Sequence, residues 1–229
     1  MHIRQGLINR ATKETRIQLA LKIDGSGKSS IKTGIPFFDH MLTLFAKHAV
    51  VDLKLKCNGD LEVDAHHTVE DCGIALGQAF VLALGDKRGI RRYGTGFAPK
   101  NPSEIPFNGK DFRGEAYVPM DETLARCVID FSGRPYLVWR GMNEMAYKKL
   151  SAKEKAQDTS SAFRFGLARE FFQGFANEAR CNLHLELIYG EEPHHVVEAL
   201  FKSFAKSVDV ACQQDTRIAG QVPSTKGKL

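Results

Sequence analysis

The chain has 229 residues, 43% hydrophobic and 26% charged, with a formal net charge of +5; that is enough to bury a substantial core as one large domain or two fused halves. No apolar run reaches the roughly 18–20 residues of a membrane span, and basic residues spread along the chain argue against nucleic acid and suit a small anionic substrate. The N-terminus Met1–Gly6 lacks a secretory core, and five scattered cysteines (57, 72, 127, 181, 212) with no Cys-x-x-Cys pair indicate reduced thiols and a cytoplasmic location.

Arg10–Ile23 alternates from Ile17 onward and reads as a strand, with Asp24-Gly25-Ser26-Gly27 as a hairpin turn. Gly27-Lys28-Ser29 is no phosphate-binding loop, because the glycine that motif needs is replaced by Lys22. From Phe37 to His48, apolar residues at 38, 41, 42, 45 and 46 form a helical stripe, and Asp39 suits the helix start. Val51–Leu55 and Leu61–Val63 alternate around Asn58-Gly59-Asp60, another hairpin signal. A helix then runs through Val69, Cys72, Leu76, Ala79, Phe80 and Ala83 and stops at Gly85.

The plan recurs: strand Leu124–Phe131, turn Ser132-Gly133-Arg134-Pro135, helical period over Ala162–Phe175, and strand Arg180–Ile188. Gly190–Pro193 turns the chain into a helix carrying Val196, Val197, Leu200, Phe201, Phe204, Ala205 and Val208. This reads as a diverged internal duplication, with half-repeats 1–94 and 119–229. Between them, 95–118 is rich in Pro, Gly, Asn and charge without period, as a long surface loop is. Asn143–Asp158 has the same exposed character, and the tail Val222–Leu229 is too short and polar to be a packed element.

The chemistry lies at the starts of two of these helices. Asp64-Ala65-His66-His67-Thr68-Val69-Glu70-Asp71 and Glu192-Pro193-His194-His195-Val196-Val197-Glu198-Ala199 both read His-His-x-x-Glu. On a helix the first His and the Glu share a face, whereas the second His points about 100° away, so adjacent histidines serve different ions. His40 and His184 are plausible further ligands, which gives two matching sets of three histidines and eight ligands with Glu70 and Glu198. Such nitrogen and carboxylate donors exclude soft-metal sites without choosing among Zn, Fe, Ni and Mn. The spacing is not the His-Glu-x-x-His of zinc proteases. Arg92, Arg134, Lys202 and the Ser224, Thr225, Lys226 run are candidates for an anion, Lys202 lying one turn after Glu198. By pattern alone, His2 and His48 are structural histidines.

Gly34-Ile35-Pro36-Phe37-Phe38-Asp39-His40-Met41-Leu42, the two His-His-x-x-Glu runs, Ser132-Gly133-Arg134-Pro135, and Pro223-Ser224-Thr225-Lys226-Gly227 together resemble the imidazoleglycerol-phosphate dehydratase family of histidine biosynthesis. The resemblance covers nearly the whole chain. It implies an α+β fold of duplicated half-domains, with two four-stranded sheets enclosing a layer of helices. It implies Mn²⁺, two ions per active site, and a homo-oligomer of 24 subunits built from trimers with sites between subunits. By position, the metal ligands would be His40, His66, His67, Glu70, His184, His194, His195 and Glu198. Substrate would be held by Glu14, His48, Arg92, Arg134, Lys202, Ser224, Thr225 and Lys226, with Glu14 as the catalytic proton shuttle from a mobile loop. The implied reaction dehydrates imidazoleglycerol phosphate to imidazoleacetol phosphate. Two departures stand out: the 95–118 segment is longer than the family's usual connection, and Glu192 replaces the Asn of a Gly-x-Asn-x-His-His pattern. A non-catalytic metal-stapled assembly protein and a dinuclear metallohydrolase are the competing readings.

Overall fold

Alternating burial sets the strands. In β2 (Thr15–Lys22), Ile17, Leu19 and Leu21 face inward while Arg16, Gln18 and Lys22 face solvent, as expected of a sheet with one wet face. The structure, a computed structural model, describes residues 3–95, 116–142 and 163–229. β1 (Gln5–Ala11), β2 and β4 (Asp52–Gly59) pair antiparallel, and β3 (Ser29–Lys32) joins β4 parallel, in the order β1-β2-β4-β3. The second sheet contains β5 (Tyr93–Thr95), β6 (Ala116–Met120), β7 (Thr123–Asp130), β8 (Tyr136–Arg140) and β9 (Asn182–Tyr189). β5 pairs with Val128–Asp130 and β6 with Thr123–Cys127, so these two short strands share one edge of β7. With β9 antiparallel to β7 and β8 parallel to β9, the second sheet repeats the connectivity of the first.

Among the described residues, four helices fill the space between the sheets: α1 (Pro36–His48), α2 (His66–Leu84), α3 (Phe165–Ala179) and α4 (Pro193–Cys212). α2 lies on β1, β2 and β4, and α4 lies on β5, β6, β7 and β9, while α2 packs on α3 and α1 on α4. The apolar stripes expected from the sequence are the buried faces, and their phenyl rings meet at the centre. Phe45 stacks on Phe204 with centroids 5.1 Å apart, and Phe171 on Phe201 at the same distance, geometry that adds to the burial term.

Gly6 of β1 pairs with Leu21 and lies against the Ala79 carbonyl of α2; Gly94 of β5 pairs with Ile129 and lies against the Ser207 carbonyl of α4. A Cβ at either glycine would overlap that carbonyl oxygen. The same device therefore brings an edge strand against the same turn of the helix beneath it in both halves.

Some expectations change. Asp24–Gly27 is not a hairpin turn, because it leads from β2 to β3, which pairs with β4 instead. Leu61–Val63 is a turn, in which the Val63 N–H donates to the Asp60 carbonyl at 2.8 Å. Only the two ends of the predicted 95–118 loop are described: Thr95 ends β5, and Ala116 to Val118 begin β6. The rest of that segment and the stretch 143–158 lie outside the described residues. No helix among those described is long and apolar enough to cross a membrane.

Candidate active site

α1 begins without a side-chain cap, but Asp39 in its first turn accepts from the Thr33 N–H at 2.8 Å and the Thr33 hydroxyl at 2.6 Å. That clamp fixes the next residue, His40. Because α1 packs on α4, His40 reaches the second motif rather than the first. Its Nε2 is 3.7 Å from Glu198 Oε2, and the same oxygen is 3.3 Å from His194 Nε2. Among the described residues, His40, His194 and Glu198 are the one group of three whose ligand atoms lie within 4.8 Å of one another. A histidine of the first half thus joins the motif of the second.

Glu198 is buried at 6% exposure, yet its pKa lies below the usual carboxylate range. Burial pushes it up, but the Lys202 ammonium, with Nζ 2.6 Å from Glu198 Oε1, and the nearby His194 and His40 outweigh that effect. The result is an ionised carboxylate beside two imidazoles, with one oxygen paired to a cation and the other facing the histidines. Two nitrogens and an oxygen, with every cysteine buried elsewhere, fit a borderline or hard divalent cation.

The first motif has the same internal geometry. His66 Nε2 is 3.5 Å from Glu70 Oε2. The rings of His66 and His67 are 6.0 Å apart and inclined at 85°; those of His194 and His195 are 6.0 Å apart at 84°. Helical rotation therefore turns the second histidine of each pair away from the first, as the spacing requires. His184 stands on the exposed face of β9, paired in register with Val128 and Val138, apart from the three-residue cluster.

Sequence reasoning missed the carboxylates beside the second histidines. Asp60, just after β4, has Oδ2 3.0 Å from His67 Nδ1, and Glu122, in the β6–β7 turn, has Oε2 2.7 Å from His195 Nδ1. Both histidines are pushed up in pKa by these hydrogen bonds, and Glu122 is held far below the usual carboxylate range by His195 and the Glu192 N–H. Nothing in the local pattern marks either residue, because turn acids are common. Asp71, beside Glu70, was also missed; it accepts from Arg10 Nη2 at 2.7 Å and from the Thr15 hydroxyl. It thereby ties down both ends of the turn that carries Glu14, whose Oε1 is 3.8 Å from His67 Nε2. Glu192 caps α4, accepting from the His194 N–H at 3.4 Å.

The anion candidates fall in two places. Lys202 belongs to the Glu198 cluster, and His48, at the end of α1, is pushed down in pKa by burial and then by Lys206 and Lys202. Arg92, Arg134 and the tail form the other group. Arg92 makes a two-pronged contact with Asp130, at 2.7 and 3.1 Å, and donates from Nη1 to the Pro223 carbonyl at 2.8 Å. Beyond it, Leu229 abuts Gly133, next to the exposed Arg134. Ser224 Oγ accepts from the Lys226 N–H at 3.2 Å, while Thr225 and Lys226 are exposed.

Two sheets around a helical layer, with histidine–carboxylate sets at helix starts and cations beside them, define an α+β protein with one group of side chains, His40, His194 and Glu198, whose chemistry fits a divalent cation. Residues 33–208 match the family model for imidazoleglycerol-phosphate dehydratase. The chain is 50% identical over 222 residues to the enzyme of that name from Trichlorobacter lovleyi, covering 97% of both chains, and 50% identical over 226 residues to that of Geobacter sp. strain M21, covering 99% of both. It also resembles the solved imidazoleglycerol-phosphate dehydratase of Staphylococcus aureus, with a TM-score of 0.69 and 32% identity, covering 92% of this chain and 99% of that one. The enzyme from Pyrococcus furiosus gives 0.71 and 31%, covering 97% and 100%. The chain belongs to the imidazoleglycerol-phosphate dehydratase family and is a hydro-lyase.

Proposed function

We propose that this chain removes water from D-erythro-imidazoleglycerol phosphate to give imidazoleacetol phosphate, a step of histidine biosynthesis, and that it does so with bound manganese, two ions per active site. The observation that carries the reading is the convergence of His40, His194 and Glu198, with Lys202 holding Glu198 ionised at the same spot. The proposed ligands are His40, His66, His67, Glu70, His184, His194, His195 and Glu198. When bound, the ions would act as Lewis acids toward the substrate's azole ring and chain oxygen.

The protein's own groups supply the rest. Glu14, exposed on a turn clamped by Asp71, is the proposed base for the carbon-bound proton beside the ring, general acid–base work typically worth about 10²–10⁴-fold. Arg134, Ser224, Thr225 and Lys226 are proposed to grip the phosphate, with Lys202, Arg92 and His48 adding positive charge or position, which fixes the reacting carbon against the base. His66 and Glu70 pair without a third ligand nearby among the described residues. The sites are proposed to be finished by a neighbouring copy, as in a 24-subunit assembly. The chain is read as half-repeats 1–94 and 119–229, with 95–118 as a surface excursion. Incubating manganese-loaded protein with imidazoleglycerol phosphate should yield the ketone product without releasing phosphate. Release of inorganic phosphate would favour a hydrolase, and no turnover would favour a metal-stapled assembly protein.

A further inference from the structure

The second histidine of each motif carries a carboxylate on the same ring nitrogen. His67 Nδ1 lies 3.0 and 3.2 Å from the two Asp60 oxygens, and His195 Nδ1 lies 2.7 Å from Glu122 Oε2. An ionised carboxylate can only accept, so each Nδ1 must carry the proton. The opposite nitrogens face acids at longer range, Glu14 at 3.8 Å from His67 Nε2 and Asp121 at 3.7 Å from His195 Nε2.

Both acidic residues are held in place, Glu122 through its carboxylate and Asp60 through its backbone. Glu122 Oε1 accepts from the Glu192 N–H and the Thr123 hydroxyl, each at 3.0 Å. The Asp60 N–H donates to the Glu14 carbonyl at 3.1 Å, and its own carbonyl accepts from Val63 at 2.8 Å.

The two come from different parts of the repeat. Thr15 and Thr123 each open the central strand of a sheet, both buried, and stand equally far before Lys22 and Asp130, which pair with Asp52 and Asn182. The residues before them, Glu14 and Glu122, are therefore equivalent in register. In the second half the turn acid is spent on His195. In the first half Asp60 does that work from the β4–α2 connection, and Glu14 is left with no bond to the ring's Nδ1. A contact reached from two unrelated positions, with the same nitrogen engaged each time, points to a requirement of the histidine rather than of the turn.

We propose that Asp60 and Glu122 are positioning residues: each takes the Nδ1–H of the second histidine of its motif, and so fixes the tautomer that presents Nε2 of His67 or His195 to a divalent cation. This rests on the proposed role of His67 and His195 as ligands. It also separates the register-equivalent acids, with Glu122 committed to positioning and Glu14 free to move a proton.

The test is manganese uptake by the full chain, stripped with chelator and titrated by calorimetry and by the electron paramagnetic resonance signal of free Mn²⁺. Asp60→Ala and Glu122→Ala should each weaken binding about 10–100-fold. Asp60→Asn and Glu122→Gln, whose amide oxygens still accept from Nδ1–H, should restore affinity to within about threefold of the wild type. Glu14→Gln should leave affinity unchanged and slow turnover. The proposal is overturned if the alanine variants bind as tightly as the wild type, or if the amide variants fare no better than alanine. A wild-type chain that takes up no manganese would overturn the ligand assignment itself, and this inference with it.

Discussion

The Lys202 ammonium and the Glu198 carboxylate, one helical turn apart on α4, lie 2.6 Å from each other, with the carboxylate almost fully enclosed. Their distance makes the lysine the counter-charge of a candidate ligand as well as a surface cation. Lys202→Met should strip one oxygen of a buried carboxylate of its cation, costing about 1–3 kcal/mol. The urea midpoint of metal-free protein should fall accordingly, and an unchanged midpoint would show that the pair contributes nothing.

Arg92 and Lys226 should behave differently, although both are candidates for holding phosphate. Arg92 links Asp130 to the Pro223 carbonyl, so Arg92→Ala should both destabilise the fold, by about 1–3 kcal/mol, and expose the tail beyond residue 222 to protease. Lys226 has an exposed side chain. Lys226→Ala should raise KM about tenfold, equivalent to about 1.4 kcal/mol, and leave the melting temperature where it was. Steady-state kinetics beside thermal melts will separate the two.

Gly6 and Gly94 occupy matching places against helix carbonyls, with no room for a methyl group. Gly6→Ala and Gly94→Ala should each cost about 1–3 kcal/mol through overpacking. Chemical denaturation of the two variants should give losses of similar size; a neutral result at either position would mean that its strand can lift off the helix freely.

Burial pushes the Cys127 and Cys212 thiols up to about 12 and raises Cys181 and Cys72 as well. The thiolate is the reactive form, so at about pH 8 these groups stay protonated, and their alkylation should be slow until the fold opens. Raising the pH increases the thiolate fraction only as it approaches those elevated values. Mass spectrometry after iodoacetamide treatment, with and without denaturant, checks this. Rapid native modification of Cys127 or Cys212 would contradict the packing described.

The helices were readable because their signals are local. Apolar residues at 38, 41, 42, 45 and 46, and at 196, 197, 200, 201, 204, 205 and 208, are the buried stripes of α1 and α4. The Glu four residues after the first histidine of each motif meets that histidine because the helical repeat places it there. The strands were readable in part. β1 carries no clear signal, the first residues of β6 fall in the stretch that reads as a loop, and Asp24–Gly27 reads as a hairpin because a short turn does not reveal which neighbour the next strand will choose.

By itself the sequence determined the amphipathic helices, the doubled histidine–glutamate spacing and the family, since each depends on residue order over short spans. Only the tertiary structure decided that His40 joins His194 and Glu198 rather than the nearer motif, that one edge of the second sheet is shared by two strands, and that Asp60 and Glu122 meet His67 and His195. Those outcomes depend on which helix packs on which and which strand pairs with which. These are contacts between residues far apart in the chain, and no local pattern encodes them.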